Sequence, residues 1–232
     1  MPNAARWVLA VLVACVAVAP PVAYFRYQYI HAKRFREVTP ERFYRSGQMT
    51  AAGLREIVAE NGIKTVINLQ HEEPDPLLLD RWMGKGVVRE SELCRELGVK
   101  YLLLTPDVIP KNLPRGAVPP VVDDYLAVLD DPAAYPVLIH CKAGLHRTGR
   151  LTAIYRMEYM GWSRGEALRE LRANGYGNFM ASEADEFIIQ FIKNYTPRKD
   201  RPQAARPATA PAPHPAPVAV PAAPPAPTGG PR

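Results

Sequence analysis

The run HCKAGLHRTG at residues 140–149 places one thiol, two imidazoles, a lysine, an arginine and two glycines in ten positions. An apolar run precedes it and another comes after it, so it reads as a loop between a buried strand and a helix. A glycine-containing turn at such a junction can aim its backbone N–H groups into one hollow, and the helix N-terminus adds partial positive charge. The result is a cradle sized for a phosphate. Cys141 lies at its base, where inward amides, the helix dipole and Arg147 all favour the nucleophilic thiolate. Arg147 comes six positions later, close enough for the loop to fold its guanidinium back over the reacting group. A planar fork holds two phosphate oxygens at once, which a lysine cannot do. Thr148 can donate a hydrogen bond to the sulfur and help it leave in a second step. Lys142, Ala143, Gly144, Leu145 and His146 line the same loop, and Lys142 and His146 add charge beyond the needs of one phosphate. A nucleotide-binding loop is a poor match. Gly144 and Gly149 have the right spacing, but Arg150 and Leu151 stand where Lys and Ser/Thr would hold phosphate and magnesium.

A phosphocysteine route also needs an acid for the leaving oxygen. The apolar run KYLLLT at 100–105 leads into PDVIPKNLPRG, which puts Asp107 two residues beyond a strand at the expected sheet edge. Asp123, Asp124, Asp130 and Asp131 fall on or at the end of the next helix and are weaker choices. Glu72 and Glu73 come after IKTVINL and either orient Arg147 or are simply solvated; solvation is the preferred reading. The cysteines at 15, 94 and 141 are odd in number and far apart, with no CxxC pair, so neither a disulfide framework nor a zinc site is expected. Cys94 reads as a packed small hydrophobe, with a resolving thiol for Cys141 as the alternative. His31, His71 and His214 receive no role, and nothing in the pattern asks for a metal or a cofactor.

The elements that must position this loop are legible in outline. Thr50 can cap a helix over 51–60 that Asn61-Gly62 ends. Strands are expected at 63–69, 100–105 and 135–140, and helices at 88–97, 119–130, 147–160, 163–173 and 183–194. SRGE at 163–166 is a capping box. Alternating strands and helices argue for an α/β fold with a central, mostly parallel sheet, whose ligands sit at the carboxyl ends of the strands.

This domain is expected over 38–195, between segments of other composition. After a short tail at 1–6, WVLAVLVACVAVAPPVAYF at 7–25 has no charge and suits a transmembrane anchor. A lipoprotein reading through LVAC and Cys15, and a cleaved signal, are the alternatives; Pro20 argues against cleavage. Arg26, Lys33, Arg34 and Arg36 come after the segment while Arg6 alone precedes it, which favours a cytoplasmic domain by the positive-inside rule, with a periplasmic or other extracytoplasmic placement as the alternative. Residues 26–37 read as a basic juxtamembrane linker, and the Pro/Ala-rich 196–232 as a disordered tail. The net charge of +6 suits anionic partners, but no basic block with interleaved aromatics points to nucleic acid.

HCKAGLHRTG resembles the signature of cysteine-dependent protein tyrosine and dual-specificity phosphatases. The resemblance extends through FYRSGQ (43–48), IKTVINL, the acid loop and GWSRGEALRELRANGYG (161–177), covering most of residues 38–192. It is similar above all to bacterial dual-specificity phosphatases and to the atypical plant and fungal ones. The resemblance implies a phosphotyrosine-phosphatase-like fold, with Cys141 as nucleophile, Arg147 as phosphate clamp, Thr148 as thiolate-release helper and Asp107 as acid, then base. His140 would support the cysteine's loop. Implied substrates are proteins carrying phosphotyrosine, phosphoserine or phosphothreonine. Inositol phosphates, including pyrophosphates, are the alternative. HCKAG followed by RTG is also similar to the tensin-like lipid phosphatases, although Leu145 stands where their second lysine would be. The rival of another class is an inactive phosphate-binding module.

Overall fold

The computed structural model describes residues 3–72, 89–104, 117–177 and 183–201. Asp107, Glu73 and the Pro/Ala-rich stretch from 202 onward lie outside the described residues.

Five strands form one sheet in the order β1-β2-β5-β3-β4: β1 (Arg36–Thr39), β2 (Phe43–Gly47), β3 (Thr65–Asn68), β4 (Lys100–Leu103) and β5 (Val137–Cys141). β2, β5, β3 and β4 run parallel, and β1 pairs with β2 antiparallel. The expectation of a mostly parallel sheet holds, with β1 and β2 as strands that the apolar pattern did not reveal. β5 is flanked by strands on both sides, which is why its Val-Leu-Ile run is continuously apolar rather than alternating. The register places Gly47 opposite Cys141 and Asn68 opposite His140. Three strand ends therefore meet at one edge of the sheet.

The pleat sorts side chains to two faces. Ile67, Val137 and Ile139 go to one cluster, packed with residues of α4 (Pro120–Asp130), α5 (His146–Tyr159), α6 (Arg164–Ala173) and α7 (Glu183–Asn194). Val66 and Leu138 go to the other, with residues of α2 (Ala51–Asn61) and α3 (Glu90–Glu96). Thr50 caps α2 by accepting the Gly53 N–H, and Gly62 ends it at φ 60°. Ser163 and Glu166 complete the capping box of α6. α5 is locked to the sheet by Tyr155, whose ring stacks on Phe43 at 4.1 Å. Arg156 adds a second tie, donating to the Val38 carbonyl at 2.9 Å and pairing with Glu170.

The apolar N-terminal segment is one helix, α1 (Asn3–Arg26), with every residue exposed, long and apolar enough to cross a membrane. At 1.5 Å per residue it spans about 36 Å, against a hydrocarbon core of roughly 30 Å. A π turn, Tyr27–His31, continues it. The stretch from the π turn to β1 is not a linker. Ala32 is buried, Lys33 offers its carbonyl to the Gly47 N–H at 2.7 Å, and β1 begins at Arg36. His31 takes a structural part, lying 2.8 Å from Glu56, which also accepts from the Tyr27 hydroxyl at 2.9 Å. A Cβ on Gly53 would fall 2.2 Å from the His31 carbonyl oxygen, so only glycine lets this segment lie so close. At the other end, Arg198 pairs with Asp130 at 2.6 Å and with Glu158 at 3.1 Å. Residues 196–201 thus pack on the domain rather than belonging to a tail.

Phe43→Ala removes the ring that seats α5 on the sheet. It should cost about 3–5 kcal/mol of stability by urea denaturation, because the site is fully enclosed. A loss under about 1 kcal/mol would mean the core closes around the gap.

Candidate active site

Cys141 is the last residue of β5, residues 142–145 form the turn, and α5 begins at His146. The conformation of the turn is set by where its carbonyls go. The Lys142 carbonyl accepts the Gln48 N–H at 3.2 Å, that of Ala143 accepts Arg34 Nη1 at 3.0 Å, and that of Gly144 accepts Arg45 Nη2 at 2.8 Å. A peptide plane with its C=O turned outward has the next N–H turned inward. The amides of 143, 144 and 145 therefore face the hollow above Cys141. Among the described residues, no backbone acceptor takes these three N–H groups. The start of α5 adds its partial positive charge at the same place.

Gly144 is required twice over. Its φ is +72°, and a Cβ there would stand 2.5 Å from the Gly47 nitrogen and 2.7 Å from the Ser46 oxygen. Gly149 has another reason, since its Cβ would meet a Leu171 methyl at 2.4 Å where α5 crosses α6.

The residues singled out in the sequence gather around this hollow to different degrees. Arg147 is half-buried and reaches across the sheet edge, its Nη1 donating to the Leu69 carbonyl at 3.2 Å. Thr148 is fully buried, and its hydroxyl has no hydrogen-bond partner among the described residues. Leu145 is buried, whereas Lys142 is exposed and His146 lies with its ring edge-on to Tyr176 at 5.4 Å. His140 is buried, with Nε2 2.8 Å from Glu90 Oε1, a close approach rather than an aligned hydrogen bond. The second Glu90 oxygen accepts from Asn68 at 2.7 Å.

Glu72 is not a solvated carboxylate, contrary to expectation. It is half-buried and accepts the Ser91 N–H at 2.7 Å, satisfying an amide in the first turn of α3 that has no partner within the helix. Cys94 is the packed hydrophobe. It is buried in the α2–α3 cluster, on the face of the sheet opposite the cluster that holds Cys141. Burial, with Glu90 and Glu72 nearby, pushes its thiol well above the ordinary cysteine range.

Arg45 and Glu90 were missed. Arg45 is 4 % exposed, and burial pulls its guanidinium down to about 10, partly opposed by the Glu170 carboxylate and by Cys141. It stays protonated at neutral pH and supplies positive charge from beneath the loop. An arginine inside the strand FYRSG was the available signal; Glu90, one of many acidic residues in a helix, gave none.

A mostly parallel sheet with a cysteine turn at its carboxyl edge is a fold also found among solved structures. The core catalytic domain of PP-IP phosphatase SIW14 from S. cerevisiae, in complex with citrate, matches with a TM-score of 0.53 at 24% identity, over 72% of this chain and 88% of that one. A PTP-like phytase from Bdellovibrio bacteriovorus matches with 0.51 at 18% identity, over 70% and 83%. At such identities the likeness is one of fold. The family is given by sequence: the family model described as DSP-PTPase phosphatase fused to NAD+ kinase matches residues 26–187. The chain belongs to that family of tyrosine and dual-specificity-type phosphatases, which are hydrolases. "Putative tyrosine-protein phosphatase OCA1" of Mycosarcoma maydis is 36% identical over 151 residues, 65% of this chain and 86% of that protein. Dual specificity protein phosphatase TpbA of Pseudomonas aeruginosa (strain UCBPP-PA14) is 46% identical over a shorter stretch of 43 residues, 18% of this chain and 20% of that one. The family match begins at the last residue of α1, so the segment from 27 to 37 lies within it.

Gly144→Ala should lower kcat/KM by about 100-fold or more, since misplacing the reacting groups by an ångström has that effect. Phosphate release from phenyl phosphate measures it, and full activity would contradict the cradle geometry.

Proposed function

We propose that the protein hydrolyses phosphomonoesters through a phosphocysteine on Cys141, with protein phosphotyrosine and phosphoserine/threonine as its substrate class. The observation that carries this reading is the tethering of three successive loop carbonyls away from Cys141, which turns the next amides toward the place of the phosphate oxygens. Phosphoryl transfer needs little beyond alignment and charge stabilisation, and a ring of amides with Arg147 supplies both.

In the first step the Cys141 sulfur attacks phosphorus, the ester P–O bond breaks, and Asp107 gives its proton to the leaving oxygen. Arg147 swings from the Leu69 carbonyl to hold two phosphate oxygens. In the second step water attacks the phosphocysteine, Asp107 takes one of its protons, and the S–P bond breaks to release inorganic phosphate. A buried hydroxyl without a partner calls for an explanation, and Thr148 finds one in a hydrogen bond to the departing thiolate. His140 and Glu90 hold the end of β5 from below.

α1 makes the protein a single-pass membrane protein in this reading, with the catalytic domain on the cytoplasmic side. Support comes from the length, apolarity and full exposure of the helix and from the basic residues after it. A second substrate reading, inositol phosphates or pyrophosphates, is favoured by the cations around the loop, Lys142 above all.

Cys141→Ser should abolish phosphate release from a phosphotyrosine peptide. Asp107→Asn should lower kcat about 10²–10⁴-fold, with the smallest effect on esters of acidic phenols that need no proton. Thr148→Ala should slow the second step, so that a phosphoenzyme accumulates in rapid-quench experiments. Wild-type turnover by the Cys141→Ser protein would overturn the mechanism. For the anchor, carbonate washing should leave the chain in the membrane pellet, and protease added to sealed cells should spare the domain; cleavage from outside would reverse the orientation.

A further inference from the structure

Lys33 and Arg34 come one π turn after α1, and both have left-handed backbone, at φ 42° and 57°. Two consecutive non-glycine residues in that region are strained and persist only where surrounding contacts hold them. The contacts that hold them lead to the phosphate loop. The Lys33 carbonyl accepts the Gly47 N–H at 2.7 Å, and Arg34 donates to the Ala143 carbonyl at 3.0 Å. The Lys33 stem lies directly over Gly47, where its Cγ would be 2.6 Å from an added Cβ. Gly47 is the register partner of Cys141, so the residue beneath this stem lies about one strand spacing, roughly 4.8 Å, from the strand that carries Cys141.

The charge at this point is uncompensated. Burial holds the Lys33 ammonium below the ordinary lysine range, and Arg34 and Lys142 push it further in the same direction. Several arginines elsewhere in the domain have carboxylate partners: Arg55 with Glu96, Arg156 with Glu170, Arg198 with Asp130. Among the described residues, no carboxylate pairs with Lys33, Arg34 or Lys142. Two like charges on a strained backbone, with Lys142 across Gly47 from Lys33, stand beside a cradle already suited to one phosphate and together suit a second anion.

We propose that Lys33, Arg34 and Lys142 form a second phosphate-binding subsite beside the 142–147 loop, which takes a phosphate neighbouring the one to be hydrolysed. The proposal rests on the phosphatase reading of the loop. The second phosphate comes either from the same small molecule or from a phospholipid headgroup at the bilayer surface, which α1 brings close.

The test uses the full chain in phosphatidylcholine vesicles, with phenyl phosphate as the one-phosphate substrate and myo-inositol 4,5-bisphosphate as the two-phosphate substrate. Wild type should prefer the bisphosphate, and Lys33→Met, which keeps the stem over Gly47, should lower the ratio of the two kcat/KM values by about tenfold, the worth of one charge-assisted contact. Adding phosphatidic acid to the vesicles separates the sources. A preference that survives assigns the second phosphate to the substrate; one that collapses in wild type but does not change in Lys33→Met assigns it to lipid. A ratio that Lys33→Met leaves unchanged in both vesicles overturns the subsite. If wild type turns over neither substrate, the phosphatase reading fails by itself. Calorimetric titration of Cys141→Ser with the bisphosphate then still decides the subsite, since tenfold weaker binding in the double variant with Lys33→Met supports it and equal binding refutes it.

Discussion

The site depends on a constraint of the peptide group: a planar unit cannot turn its C=O outward without turning the next N–H inward. Three donors outside the loop hold the carbonyls of Lys142, Ala143 and Gly144, namely the Gln48 amide, Arg34 and Arg45. Each comes from a different part of the chain: after β2, after α1 and within β2. The hollow over Cys141 is thus imposed from outside rather than stored in the loop. The glycines make the imposition feasible. Gly144 supplies the positive φ, and its lack of a Cβ lets the turn lie against the backbone of Ser46 and Gly47.

Such an arrangement places charge where water cannot screen it. Arg45 is buried beneath the loop, and Glu90 and His140 are buried together at 4% and 2% side-chain exposure. Buried groups of this kind rarely add stability compared with apolar packing, and removing one partner leaves the other stranded. Their presence at the base of β5 makes sense as positioning. They fix the strand end that carries Cys141 while the two apolar clusters hold the sheet from either face.

The path from α1 into the domain is equally bound to the site. Tyr27, His31, Lys33 and Arg34 make contact in succession with Glu56, Gly47 and Ala143, so the helix end and the loop are joined by a short stretch of packed chain. The end of α1 is thereby tied through packed chain to the turn above Cys141.

Most of the elements could be read from the sequence, since local chemistry fixes them: Thr50 and Gly62 bound α2, Ser163 and Glu166 begin α6, and the apolar runs around 65, 100 and 137 become parallel strands. The placement of Cys141, Arg147 and Thr148 at one strand-to-helix turn was legible because their spacing is set within a single turn and helix start. β1 and β2 were not, because Arg36, Arg45 and Ser46 break the apolar pattern that betrays a strand; the nature of 26–37 was hidden for the same reason, its basic residues reading as solvated until the fold drew them in. Arg45 and Arg34 reach the loop itself, and Glu90 and Lys33 the strand ends beside it, with Arg34 to Ala143 a separation of 109 positions. Sequence by itself determined the turn that carries Cys141 and its place between a buried strand and a helix, since short-range spacing encodes both. Only the tertiary structure decided which charges surround that turn, because no local rule relates a residue after the first helix to a carbonyl more than a hundred residues away.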